Sequence, residues 1–92
     1  MQILRTVRGD RLLRKLDPSL RPSAFAALDA FLADSGAPSL NFEKLRGYKT
    51  LYSIRINRNH RIILRRTDQA DTFELWLIGP HDVYRRLDEG DH

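Results

Sequence analysis

The side chains that could do chemistry in this chain form the set needed to cleave a phosphodiester bond, namely Glu43, Arg55, Arg61, His81 and Tyr84. In-line cleavage of RNA needs a base that takes the proton of a 2′-hydroxyl, an acid for the 5′-oxygen, and cations beside the phosphate. His81 suits the acid because imidazole titrates near neutral pH. Arg55 and Arg61 stay charged and suit electrostatic stabilisation. These residue types therefore indicate RNA cleavage without a metal or cofactor.

Each of these residues also has a structural interpretation. Glu43 directly precedes the basic segment, where neighbouring cations keep a carboxylate ionised and able to accept a proton. The same spacing permits an exposed salt bridge with Lys44, Arg46 or a strand arginine, so the identity of the base stays open. His81 and Tyr84, one helical turn apart, also occur in proteins as surface or capping residues.

A β-hairpin is predicted for residues 51–64, where apolar and polar side chains alternate on both sides of a polar turn. A three-residue loop at 58–60 places Arg55 opposite Ile63, so that Arg55 and Arg61 are diagonal neighbours roughly 7 to 8 Å apart. The opposite face then carries Tyr52, Ile54, Ile56, Ile62 and Leu64. A four-residue loop is rejected because it would mix core and solvent faces. The arginine face is interpreted either as a phosphate-binding platform or as the solvated side of an ordinary sheet.

The positive charge of the chain is concentrated in one segment. Between residues 44 and 66 there are eight Lys or Arg and no acid, whereas the formal net charge of the whole chain is +4. Such a segment predicts a polyanionic partner, and nucleic acid fits best because clustered cations displace condensed counterions. An acidic protein fits the same electrostatics. Besides the candidate catalytic arginines, the predicted RNA-binding residues are Lys44, Arg46, Lys49, Arg58 and Arg65.

The apolar pattern predicts the elements that position these residues. A first strand, Gln2 to Val7, is followed by a helix capped by Asp10 and by a second helix capped at Asp17-Pro18. The apolar stripe of the second helix is Ala24, Phe25, Leu28, Phe31 and Leu32. Together the helices are expected to form an α-hairpin that covers one face of the sheet.

The C-terminal half is predicted to contain mostly strands. Residues 39–50 are expected to form a loop, with at most one helical turn, before the hairpin. In the last strand Phe73, Leu75 and Leu77 alternate with Glu74, Trp76 and Ile78, and Gly79-Pro80 ends it. A short helix is expected from His81 to Leu87. The fold class is therefore α+β, a small antiparallel sheet of the first strand and a three-strand meander packed against an N-terminal α-hairpin, in one domain spanning residues 1–92.

Composition excludes several other classes. The chain has no cysteine, so neither a disulfide nor a cysteine metal site is possible. It has no glycine-rich phosphate loop, no metal-spaced set of His and Glu, and no Gly-x-Ser-x-Gly elbow. His60, in the predicted turn, is expected to be solvated. No apolar run approaches the roughly 20 residues that span a bilayer, so no membrane contact is expected and the cytoplasm is the default location.

Four segments in this order and spacing resemble toxins of the RelE/ParE superfamily, the small toxins of bacterial type II toxin–antitoxin modules. The segments are residues 40–45, 51–57, 60–64 and 78–84. The resemblance implies a RelE-like fold, related to that of microbial ribonucleases. It also implies ribosome-dependent cleavage of mRNA by 2′-hydroxyl attack, contacts with 16S rRNA, and neutralisation by a cognate antitoxin.

The resemblance also implies roles for individual residues. Arg55 matches a basic residue of the second strand, Arg61 the arginine that opens the third strand, and Tyr84 the aromatic residue near the C-terminus. Glu43 and His81 resemble the glutamate and histidine of YoeB-like members. RelE itself has a further lysine where this chain has Ser53, and an arginine where it has His81, so the acid and base roles cannot be transferred from RelE.

Two other functions stay open at this level. A ParE-like DNA gyrase inhibitor would share the fold but would not need the glutamate, histidine and tyrosine. A catalytically silent member would only bind RNA or a protein.

Overall fold

The computed structural model describes residues 1–80 together with Val83 and Leu87. Two helices precede most of the strands, and a short 3-10 helix covers Pro38–Leu40. The elements in chain order are β1 (Gln2–Leu4), α1 (Val7–Lys15), α2 (Arg21–Ala33), β2 (Glu43–Lys44), β3 (Leu51–Arg55), β4 (His60–Arg66) and β5 (Thr72–Pro80). The predicted C-terminal helix lies outside the described residues.

The five strands form one sheet in the order β1-β5-β4-β3-β2. The antiparallel meander of β3, β4 and β5 is confirmed, but β1 runs parallel to β5, so the prediction of a wholly antiparallel sheet is wrong. The reason is β2, a two-residue strand paired with β3 in the segment predicted to be a loop. This additional strand adds one reversal of the chain, and β5 therefore runs in the direction of β1.

The α-hairpin covers one face of the sheet, as predicted, and the core lies between them. Its centre is a cluster of aromatic rings in mutual contact, with centroids 5.0 to 5.8 Å apart, formed by Phe31, Phe42, Tyr52 and Phe73. The buried stripe of α2 is narrower than predicted and consists of Ala24, Ala27, Leu28 and Phe31. Phe25 and Leu32 are 49% and 46% exposed, because only about 100° of a helix surface faces a sheet.

Both helices begin at residues other than the predicted caps. Thr6, not Asp10, caps α1, since its hydroxyl oxygen accepts a hydrogen bond of 2.9 Å from the Gly9 amide. Asp10 lies in the first turn and forms an ion pair with Arg5. Asp17 accepts hydrogen bonds from the amide and hydroxyl of Ser19, which lower the pKa of its carboxyl group. That turn precedes α2, so the helix begins only at Arg21.

A β-bulge interrupts the predicted alternation of β5. Ile63 of β4 pairs with Leu77, but Leu64 pairs with Leu75, so Trp76 is the extra residue of the bulge. Before the bulge Phe73 and Leu75 are buried in the core, as predicted. After it the alternation is reversed. Ile78 packs against the core, and Leu77 lies on the opposite face beside Ile63.

Candidate functional site

The β3–β4 hairpin sets two arginines directly opposite each other. Arg55 pairs with Arg61, whereas the prediction paired Arg55 with Ile63. The loop has the predicted length but lies one residue earlier, at residues 57–59, because the Asn57 side-chain oxygen accepts hydrogen bonds from the amides of Asn59 and His60 at 2.8 and 3.0 Å. Each residue of β3 therefore pairs with a β4 residue two positions earlier than predicted. Because the shift is an even number, the predicted division of side chains between the two faces is correct.

The opposed arginine pair has an energetic cost. The Ile56 amide donates to the His60 carbonyl, so the adjacent Arg55–Arg61 pair is of the non-hydrogen-bonded type, with Cα atoms about 4.5 Å apart. Like charges in that position destabilise a sheet. Arg61 is half-buried and donates to the carbonyls of Asn57 and His60, at 3.3 and 3.4 Å. An anion bound between the two guanidinium groups would remove the repulsion.

A row of paired residues crosses the same face of the sheet. Glu43 pairs with Ser53, and Ser53 pairs with Ile63. Since the row runs through three neighbouring strands, all three side chains lie on the face that carries Arg61. Ile63 is fully buried, as is Leu51 farther along this face, so the face is not simply the solvated side of the sheet.

A cavity of about 360 Å³ lies over this row. It contains two of the predicted catalytic residues, and its lining is Glu43, Leu45, Arg46, Tyr48, Ser53, Arg61 and Ile63. Within the part of the chain that the structure describes, Glu43 forms no ion pair, so the alternative of an exposed salt bridge is not observed. The exposed carboxylate of Glu43 and the hydrogen-bonded guanidinium group of Arg61 therefore line the same small cavity.

The predicted RNA-binding residues occupy different places. Arg46 lines the cavity, and Arg58 is exposed in the hairpin loop. Lys44 pairs with Tyr52, so it lies on the opposite face from Glu43. Lys49 is exposed before β3. Arg65 lies on the arginine face but forms a salt bridge of 3.5 Å with Glu74 and stacks over Trp76.

Tyr48 was not predicted as a site residue. It follows Gly47, which has a φ of +87°, and the Tyr48 amide donates to the Leu45 carbonyl at 3.3 Å. This geometry matches a type II turn, which needs glycine at its third position. The sequence signal is the single glycine of Leu45-Arg-Gly-Tyr48, which indicates a turn but not the direction in which the tyrosine points.

The end of β5 reaches the arginine pair. Gly79 pairs with Arg61, and Pro80 pairs with His60. The side chain of Val83 lies against this end of β5, since a Cβ atom at Gly79 would be 2.7 Å from Cγ2 of Val83. His81 and Tyr84 lie outside the described residues, so their convergence with the arginines stays a prediction.

Replacing Gly79 with alanine is expected to displace Val83. Overpacking of this kind costs about 1 to 3 kcal/mol in free energy of unfolding, which denaturant unfolding would measure. Gly36→Ala is the matched control, since a Cβ atom there has its closest contact at 3.4 Å with a side-chain oxygen of Asp34. Equal stability of the two variants would contradict the close approach of Val83 to β5.

Neither a metal-binding group of three or more Asp, Glu, His or Cys side chains nor a helix long and apolar enough to cross a bilayer occurs among residues 1–80, Val83 and Leu87.

Comparison with known proteins identifies the family. The family model for the ParE-like toxin domain matches residues 18–86, which include α2 and strands β2 to β5. No curated protein matches the chain in sequence. Among solved structures, the YoeB/ParE toxin from Agrobacterium tumefaciens is 18% identical with a TM-score of 0.65, covering 88% of this chain and 99% of its own.

Two similar structures are toxin–antitoxin complexes. The RelB-RelE complex from Methanococcus jannaschii is similar over 96% of this chain and 100% of the matched chain, at 15% identity and a TM-score of 0.61. The E. coli RelBE complex is similar over 85% of this chain and 93% of the matched chain, at 20% identity and a TM-score of 0.61. These likenesses establish a fold shared with RelE and YoeB toxins. Since the family model covers three-quarters of the sequence, the chain belongs to the family of ParE-like toxin domains.

Proposed function

We propose that this chain is a toxin that cleaves mRNA on the ribosome by attack of the 2′-hydroxyl, and that a cognate antitoxin neutralises it. The observation that carries the proposal is the opposed Arg55–Arg61 pair beside the cavity that also holds Glu43. A like-charge pair that costs stability is expected where an anion binds. A phosphate of RNA has the size and charge to lie between two guanidinium groups.

The proposed reaction uses each candidate residue once. Glu43 takes the proton of the 2′-hydroxyl, and the 2′-oxygen forms a bond to phosphorus. Arg55 and Arg61 offset the charge that grows on the phosphate oxygens. As the bond from phosphorus to the 5′-oxygen breaks, His81 donates a proton to that oxygen, and Tyr84 orients the phosphate. The products are a 2′,3′-cyclic phosphate and a 5′-hydroxyl end.

The exposed cations around the cavity are proposed to contact RNA outside the reacting phosphate. Arg46, Lys49 and Arg58 are exposed near or beside the site and would bind phosphates of mRNA or 16S rRNA. Lys44 would reach RNA only at the sheet edge. Arg65 is assigned a supporting role, because its salt bridge to Glu74 and its stacking on Trp76 hold it against β5.

A second candidate function is inhibition of DNA gyrase, which the ParE-like family model favours. The two functions are separated by one pair of assays on the antitoxin-free protein. In a translating extract, primer extension maps new mRNA 5′ ends, and purified gyrase is assayed for supercoiling. New ends within codons with normal supercoiling support the nuclease. Loss of supercoiling without RNA cuts would overturn it in favour of the gyrase inhibitor.

A separate apolar surface is proposed as an antitoxin-binding site. All the exposed large apolar side chains among the described residues lie before residue 33, at Met1, Leu4, Val7, Phe25 and Leu32. Leu4, Phe25 and Leu32 line a groove of about 590 Å³ between β1, α1 and α2. β1 lies at one edge of the sheet. Contiguous exposed apolar surface of this kind marks protein–protein interfaces.

The charge of α1 indicates the chemistry of that partner. Arg11, Arg14 and Lys15 are exposed on this helix and Arg14 lines the groove, while the one acidic residue of the helix, Asp10, is paired with Arg5. An amphipathic, acidic segment complements both the apolar floor and the basic rim. We assign this segment to the antitoxin, and a further acidic segment of the same protein would cover the arginine face.

Replacing Phe25 or Leu32 with aspartate is expected to weaken antitoxin binding by at least about 30-fold, since buried anchors at interfaces contribute 2 kcal/mol or more. RNA cleavage should be unchanged, because neither side chain lies near the Glu43 cavity. Ala26→Asp, exposed on the same helix and outside the groove, is the control. Isothermal titration with purified antitoxin measures the effect, and unaltered affinity in the Phe25 and Leu32 variants would exclude the groove.

A further inference from the structure

We propose that the cavity beside Arg61 is a nucleotide subsite in which Tyr48 stacks on the base of the nucleotide whose 2′-hydroxyl attacks. The inference rests on the proposed nuclease function and deepens it. It assigns a substrate-contacting role to a residue outside the predicted catalytic set.

The lining of the cavity has the mixed character that a nucleotide requires. Its apolar part is formed by Leu45, Ile63 and the ring of Tyr48, while Arg46 and Arg61 provide positive charge. A nucleobase has a flat apolar face, and its phosphate is anionic, so one nucleotide would use both parts. The volume of about 360 Å³ is in the range of small-ligand sites.

The order of the side chains gives the nucleotide a direction. Ser53 pairs on one side with Ile63 of β4, and Arg61 lies two residues before Ile63 on the same face. On its other side Ser53 pairs with Glu43, in the edge strand β2. Ser53 is small and lines the cavity together with Glu43 and Arg61. With the phosphate at Arg61 and the attacking ribose near Glu43, the base is directed toward the turn that carries Tyr48.

The turn that carries Tyr48 is held by backbone hydrogen bonds. Tyr48 is half-buried, its amide donates to the Leu45 carbonyl, and the Leu45 amide donates to the Leu51 carbonyl at 2.9 Å. Gly47 provides the positive φ that this turn requires. A side chain on a preorganised turn loses less conformational entropy on stacking, and stacking on an aromatic side chain accepts any base.

The test measures binding without cleavage. A short oligoribonucleotide carries a single 2′-deoxy residue at the attacking position, and its affinity is measured by fluorescence anisotropy for the antitoxin-free chain. Tyr48→Ala is expected to weaken binding about 5- to 150-fold, the range for loss of one base–aromatic stack, whereas Tyr48→Phe should bind like the wild type. If Tyr48→Ala unfolds, Tyr48→Leu keeps the apolar volume and removes the aromatic ring.

An abasic oligonucleotide separates stacking from a structural role. With the base removed at the attacking position, wild type and Tyr48→Ala should bind equally. If Tyr48→Ala loses the same affinity for the intact and the abasic strand, the proposed subsite is wrong. It is also wrong if wild type and Tyr48→Ala bind the intact strand with equal affinity. The cleavage assay gives an independent result. A chain that cuts no RNA yet shows the Tyr48-dependent difference retains the subsite and loses the nuclease function.

Discussion

Arg61→Ala is expected to lower mRNA cleavage by about 100- to 1000-fold, the effect of removing one preorganised group that stabilises transition-state charge. Arg61 is half-buried, is held by the carbonyls of Asn57 and His60, and lines the cavity with Glu43. The rate of appearance of new mRNA 5′ ends in a translating extract measures the loss. Arg61→Lys should recover only part of the rate, since a lysine cannot make the two parallel contacts of a guanidinium group.

The control for this variant comes from the same strand. Arg66 is exposed, and its Nη1 atom lies 3.4 Å from the hydroxyl of Tyr52, on the core side of the sheet. Arg66→Ala removes the same charge and should keep nearly all activity. Arg61→Ala should also be no less stable than the wild type, because it removes the repulsion from Arg55. Comparable losses in both variants would mean that net charge, and not the position of Arg61, controls cleavage.

Phe31→Ala is expected to lower the free energy of unfolding by about 3 to 5 kcal/mol, the cost of removing a buried phenylalanine side chain. Phe31 is fully buried and packs edge-on against Phe42 and Phe73, with centroids 5.0 and 5.6 Å away. Urea unfolding followed by circular dichroism measures the change. Such a loss is a large part of the 5 to 15 kcal/mol typical of a domain.

Phe25 provides the comparison, because it lies on the same helix and is 49% exposed. Phe25→Ala should cost much less than Phe31→Ala, and a similar cost for the two would contradict the observed orientation of α2. The pair also separates stability from partner binding. Phe25 is assigned to the antitoxin groove and Phe31 to the core.

The sequence predicted the face of each hairpin residue better than the register. When the loop moves by one residue, the partner of every strand residue changes by two positions. Each side chain therefore stays on its predicted face of the sheet. The predicted separation of Arg55 and Arg61 was wrong for the same reason. The side chain of Asn57 closes the turn one residue early, and strand periodicity alone does not reveal that competition.

Some structural features involve too few residues to be predicted from the alternation of apolar and polar side chains. The strand Glu43–Lys44 has two residues, too few to show alternation, yet it reverses the chain and makes β1 parallel to β5. The bulge at Trp76 shifts the alternation of β5 without a glycine or proline at the bulge itself. Tyr48 enters the site through the turn at Gly47. The shared face of the arginines was predicted because strand alternation is local, whereas Glu43 was singled out by its charge, in a segment predicted to be a loop.

The most direct measurement concerns the chemistry at the cleaved nucleotide. In a reconstituted translation reaction, the main cleavage site of an mRNA is first mapped and then made with a single 2′-deoxy residue at the attacking position. Cleavage at that site should disappear, while the unmodified mRNA gives a 2′,3′-cyclic phosphate and a 5′-hydroxyl end. Continued cutting at the 2′-deoxy residue, or no cutting of either mRNA, would contradict the proposed nuclease.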